Sequence, residues 1–372
     1  MGGFFFYPDI LKFNLSQLLP LVIVVLNVLS NRIVIVINLC FMGFMSAAQT
    51  LGGNAVFNFL KQPNTAQLSA LGGFNISVPG KDVGMSFHNP ALLRKEMHQQ
   101  LNTSFNAFVA GISNYSLSAG WHLEEAKTNI GLGVNYFNYG NIDQTDASGN
   151  ISGSFRPRDY VVQVMASRSY KEKWWYGATL KFIHSGYGQY RSSGIAMDVA
   201  LNYHDEDKSL QAAIVVKNMG TQLRTYDGSG RKEELPFDVQ AGVTKRLTNA
   251  PVQFSISFHD LHRFNNFYND TSFRAGEGDD DFTKKNTLQK IFNHVVIAAQ
   301  FFPHEKIELT TGYNFQRRND LNGFNISNGL NGFTLGTAVL LPKIHIRYAT
   351  GFYQQQLFHQ FSFNFNLKGN TF

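Results

Sequence analysis

The chain has 372 residues, among them 33 Gly, 10 Pro, 34 Phe, 15 Tyr, 3 Trp and one Cys. Charged residues are only 16%, against roughly 25% in an ordinary soluble domain; with so many aromatics this excludes disorder, and a lone Cys excludes a disulfide scaffold. The net charge of +6 comes from scattered basic residues, so nucleic acid is not an expected partner, and beyond residue 50 no apolar run is long enough for a membrane helix.

Residues 1–48 carry two apolar runs, Leu18–Leu29 and Ile33–Met45, with Arg32 before the second and Ser46-Ala47-Ala48 after it. A basic flank, a short apolar core and small residues at the end describe a secretory signal peptide cut before Gln49. The upstream part is longer than such a peptide needs, which suggests a start set too early. Cys40 follows bulky Leu39 rather than a small residue, which argues against lipidation.

Residues 49–102 are rich in Gly and Asn and alternate weakly. Phe57–Leu60 and Thr65–Leu71 suit short helical turns. Pro90 biases Asn89 towards extended backbone, and Asn89 can bond local backbone, so Asn89-Pro90-Ala91 reads first as a structural turn.

From residue 103 onward the period is two. Ile195, Met197, Val199, Leu201 and Tyr203 alternate with Ala196, Asp198, Ala200 and Asn202; Phe361, Phe363, Phe365 and Leu367 alternate with Ser362, Asn364 and Asn366. A strand turns successive side chains to opposite faces, so each such segment has one apolar and one polar face. Fourteen strands are predicted, near 103–112, 114–122, 129–138, 158–169, 174–184, 193–204, 208–218, 236–247, 251–260, 290–302, 305–315, 332–341, 343–351 and 357–367. Most are nine to twelve residues, enough to cross a bilayer as a tilted strand. Links after even-numbered strands are short. Those after odd-numbered strands are mostly long: 139–157, 185–192, 220–235, 261–289 and 316–331. This is the rhythm of an outer-membrane barrel, with short periplasmic turns and long extracellular loops. A β-sandwich also alternates, but its strands are shorter, and the polar faces here carry Asp198, Lys217, Asp238, Arg246, Glu308 and Arg347, as a wet lumen would. The expected fold is all-β: a transmembrane antiparallel barrel of about fourteen strands in a Gram-negative outer membrane. A barrel of that width is too wide for its own side chains to fill, so 49–102 is expected to be a plug, or hatch, in the lumen.

No constellation for chemistry stands out. There is no His-Glu-x-x-His, no paired Cys and no Gly-x-Ser-x-Gly, so no enzyme activity, metal or cofactor is expected. His259-Asp260-Leu261-His262 falls at a strand end and reads as solvated loop; Glu277–Asp281 reads as a solvated acidic stretch. The longest loop carries Phe264, Phe267, Tyr268 and Phe273, and aromatics amid polar residues make it the candidate partner-binding loop.

Asn89-Pro90-Ala91-Leu92 resembles the hatch motif of FadL-like outer-membrane transporters, which also have fourteen strands. The wider run from Gly52 to Leu92 (Gly52–Leu60, Pro63–Ala66, Ala70–Gly73 and Phe87–Leu92) resembles one branch of that superfamily, the PorQ barrels of the type IX secretion system of Bacteroidetes. The resemblance implies a non-enzymatic member of the surface attachment complex. It would anchor a PorZ-like surface protein beside a PorV-like barrel and a PorU-like sortase, in contact with membrane lipid and lipopolysaccharide. The alternative it implies is a FadL-like transporter of long-chain fatty acids or other hydrophobic small molecules.

Overall fold

The structure is a computed structural model that describes residues 55–264, 266, 286–321 and 328–367. The expected signal peptide and its cleavage point lie outside these residues. The described residues belong to one unit, Gly52–Phe372.

The dyad segments form sixteen strands. They are β1 Gln100–Ala107, β2 Ser113–Leu123, β3 Thr128–Asn138, β4 Ile142–Thr145, β5 Ile151–Phe155, β6 Arg158–Tyr170, β7 Trp174–Tyr187 and β8 Tyr190–Asp205. Then follow β9 Leu210–Arg224, β10 Asp238–Arg246, β11 Val252–Phe258, β12 Val295–His304, β13 Ile307–Asn314, β14 Phe333–Leu340, β15 Ile344–Tyr353 and β16 Gln356–Asn366. All but β4 and β5 make one closed antiparallel barrel of fourteen strands, each beside its barrel neighbour in sequence. It closes where β1 meets β16, from Gln100 opposite Asn366 to Ala107 opposite His359. Closure leaves no unpaired edge, the condition a sheet must meet inside lipid.

Polarity is inverted relative to a soluble protein. Asn102, Ser118, Asp198, Asn202 and Gln360 are fully buried, while Leu132, Val164, Leu180 and Leu335 are about half exposed (49%, 52%, 55% and 58%). Along β7 the exposed residues include Trp174, Tyr176, Leu180 and Phe182, and the buried ones include Thr179 and Lys181. An apolar outer belt around a polar interior is the arrangement hydrocarbon selects. Aromatic rings cluster on the wall as cross-strand pairs, Trp174 with Tyr203 and Tyr348 with Phe361, each with centroids 5.0 Å apart.

The structure corrects several expected boundaries. The strand expected from residue 290 begins at Val295, because Asn286 and Gln289 cap each other's backbone and start a helix, Thr287–Phe292. The link expected to be long at 185–192 is a tight hairpin, with Tyr187 opposite Tyr190 and Gly188 at φ +63°. The 139–157 link holds the β4–β5 hairpin, and the 316–331 link begins with a helix, Phe315–Leu321. The strands β6 to β9 run for 13, 14, 16 and 15 residues. That exceeds the roughly 9–11 needed to cross a bilayer, so this part of the wall stands taller than the rest.

Candidate functional site

Residues 55–99 pack against the inward faces of strands around the whole ring. A 3-10 turn spans Asn58–Lys61, and Thr65 caps a short helix, Ala66–Ala70, by accepting from the Leu68 N–H. The Ala66 N–H donates to Ser362 Oγ of β16 (2.7 Å), and Thr334 of β14 donates to the Ala70 carbonyl (2.9 Å). Asn75 donates to Ser255 of β11 (2.9 Å), Ser77 meets Thr244 of β10 (2.9 Å), and Gln163 of β6 donates to the Phe87 carbonyl (2.9 Å). The walls make room with glycine. A Cβ at Gly312 would collide with the backbone of Leu71 and Gly72, and one at Gly177 would lie 2.6 Å from Pro90 C and Ala91 N.

The structure places Asn89, Pro90 and Ala91 at this second close approach, all buried. Asn89 is extended (φ −140°, ψ 100°) and caps the Pro90–Leu92 turn, its Oδ1 accepting from the Ala91 N–H at 2.9 Å. Its Nδ2 donates to the Ile76 carbonyl at 2.7 Å, tying two stretches of the segment together.

Ion pairs fasten segment to wall. Arg347 of β15 reaches Asp82 of the segment (3.4 Å) and Glu308 of β13 (2.8 Å), and Gln300 and Thr310 also donate to Glu308. His88 takes a 2.8 Å hydrogen bond from Lys217 of β9. Burial, then Lys217 and Lys181, hold the His88 imidazole well below its ordinary pKa, so it stays neutral and accepts. Beside it, Lys181 pairs with Asp198 (2.6 Å), and Asp198 also accepts the N–H of Asn218, which a bulge in β9 frees from the ladder.

A cleft of about 490 Å³ opens where the segment begins, at the long-loop end of the tall wall. Val56, Phe57 and Phe59 form its apolar floor; Tyr139, Tyr187, Tyr190 and Tyr226 are rings around it, with Asp159 and Glu233 as its acids. The Val56 N–H donates to the Glu234 carbonyl (2.9 Å), which sets the floor against the 225–237 connection. Three hydroxyls converge on Asp159: Tyr139 (2.6 Å), Tyr187 (3.2 Å) and Ser185. Tyr226 donates to Ser185 in turn. Burial first, then the Asp159 carboxylate, push the Tyr139 phenol up, so it remains a donor. This volume and lining suit a small organic ligand.

Two expected sites resolve differently. Phe264 is exposed (62%) with Lys290 5.9 Å from its ring, while Phe267, Tyr268, Phe273 and the acidic stretch lie outside the described residues. The His259–His262 stretch is not the solvated loop expected: His259 is 1% exposed and stacks on Phe74 of the segment at 4.4 Å. Asp238, Asp260 and His262 bring ligand-type atoms within 4.8 Å of one another. Both Asp238 oxygens are already engaged, Oδ1 by the Asp260 N–H (2.6 Å) and Oδ2 by Gln240 (2.5 Å), which makes this a clasp between rim elements. None of the cleft residues was anticipated from sequence as a site, because they come from separate strands and loops; the signal was the recurrence of Tyr just past predicted strands.

No family model matches the chain, and no curated protein sequence matches it. Among solved structures it is similar to a TodX monoaromatic hydrocarbon channel (a deltaS2S3 mutant), at 11% identity and a TM-score of 0.51, covering 82% of this chain and 99% of that one. A CymD monoaromatic hydrocarbon channel aligns at 13% identity and a TM-score of 0.47, covering 84% and 100%. At such identities the likeness concerns the fold alone: the chain is a closed fourteen-stranded antiparallel β-barrel similar in fold to the TodX channel.

Proposed function

We propose that the chain is an outer-membrane barrel that captures hydrophobic small molecules at its extracellular mouth, with residues 55–99 as its plug. The carrying observation is the aromatic cleft of about 490 Å³ between the start of that segment and the tall wall β6–β9. The apolar outer belt supports the membrane location, and the shared fold with a hydrocarbon channel supports a small-molecule cargo. No catalytic step is assigned to any residue. The test is uptake of a labelled fatty acid and a labelled alkylbenzene by cells with and without the gene. Loss of uptake of at least one of the two on deletion, and a matching loss in Phe57→Ala and Tyr190→Ala, is the expected result; unchanged uptake of both would overturn the reading.

One observation favours a second reading. The segment is bolted to the wall by Asp82–Arg347–Glu308 and His88–Lys217, which suits a static scaffold better than a moving hatch. Under that reading the barrel anchors a PorZ-like surface partner near PorV-like and PorU-like proteins of type IX secretion, through loops that include exposed Phe264. Pull-down from outer membranes separates the two: a large surface protein recovered in stoichiometric amount favours the scaffold.

A further inference from the structure

We infer that the mouth cleft selects its ligand by charge, taking an apolar group that carries a positive charge, such as an aryl or alkyl ammonium, and turning away carboxylates. This rests on the reading above that the cleft binds small molecules. The ionisable lining consists of acids and tyrosines: Asp159 and Glu233 line the space, and among the described residues no Lys, Arg or His does. Asp159 is 3% exposed and forms no ion pair with Lys or Arg among the described residues; its partners are hydroxyl donors. Hydroxyl donors favour the charged form of a carboxylate but bring no positive charge of their own to cancel it.

The rings amplify that field. Tyr187 has its centroid 5.9 Å from those of both Tyr139 and Tyr226, tilted 39° to the first and 71° to the second, so differently inclined rings bound one space. Aromatic faces are electron-rich and attract a cation within about 6 Å of the centroid. Tyr139 and Tyr187 donate their hydroxyl protons to a carboxylate, which makes their rings richer still. An ammonium here lies among the tyrosine rings beside exposed Glu233, with the Asp159 carboxylate behind the hydroxyls that bond it. A fatty-acid headgroup meets the same two carboxylates with like charge and loses water on entry. Arg158, Arg191 and Arg224 stand close enough to act on His184, but none of them is among the described residues that line the cleft.

The experiment titrates the purified full chain in nanodiscs with three probes of similar size: phenyltrimethylammonium, its neutral isostere tert-butylbenzene, and benzoate. Binding is read by tyrosine fluorescence or by ligand-observed NMR. The expected order is ammonium tighter than hydrocarbon by about tenfold, with benzoate weakest. Glu233→Gln, an exposed position outside the strands, narrows the gap between ammonium and hydrocarbon severalfold. Asp159→Asn removes the preference altogether if it folds, and the Glu233 variant keeps the test decisive if it does not. Hydrocarbon binding as tightly as the ammonium, or benzoate tighter than either, overturns the charge selection and leaves the capture reading standing. Binding of none of the three overturns both.

Discussion

Asn89 shows how a single side chain can hold two turns at once. One amide bonds Ala91 and Ile76 with no access to solvent, so Asn89→Ala leaves a buried N–H and a buried carbonyl unpaired. A cost of about 2–4 kcal/mol is expected, visible as a lower temperature for loss of the compact band on unheated gels. His88 gives a pH prediction. Its native pKa lies well below the 6.5 of the unfolded chain, so below pH 6.5 the unfolded state binds the extra proton and stability falls with acidification. For one group the slope is at most about 1.4 kcal/mol per pH unit. Urea titrations at pH 7 and pH 5 should show the loss, and His88→Gln should reduce it. Sequence alone made Asn89-Pro90 legible as a turn, since Pro restricts its neighbour wherever it stands. It could not show the His88–Lys217 contact, because these residues are 129 positions apart and neither belongs to a local pattern.

Among the elements, strand identity was legible and strand ends were not. Alternation located all fourteen barrel strands, because an inverted two-faced wall needs apolar residues at every second position over most of each strand. It misplaced the ends of β7 and β8, since at the long-loop rim Ser185, Gly186, Arg191 and Ser192 no longer alternate between apolar and polar. The helix Thr287–Phe292 was hidden because Leu288, Ile291 and Phe292 are apolar and stand just before a true strand. The segment is held to the wall at element scale by Arg347, which answers two carboxylates on different elements. Arg347→Met strands Asp82 and Glu308 in the interior, with an expected loss of about 3–5 kcal/mol. Limited proteolysis in detergent should then cut within 55–99, where the parent chain, mostly buried over this stretch, should stay intact.

At the scale of the whole molecule, the reversed polarity makes the surroundings part of the fold. Leu180 on β7 faces outward, so Leu180→Arg should cost about 2–4 kcal/mol in a bilayer near its midplane, measured by folding titrations into vesicles. The same substitution should cost much less in a detergent micelle, which gives way around a charge. A soluble sandwich would show no such difference, so the pair of measurements tests the membrane assignment directly.

The path of residues 55–99 has a consequence for assembly. It starts at the long-loop rim, where Val56 meets Glu234, and finishes at the opposite end, where the Gln99 N–H bonds the Gly120 carbonyl. A thread that touches the hollow from one opening to the other is expected to be in place before β1 and β16 join, so that the sheet wraps around it as around a mandrel. Shortening the thread should then stall the wrapped sheet as an open, protease-sensitive gutter, read by limited proteolysis during refolding.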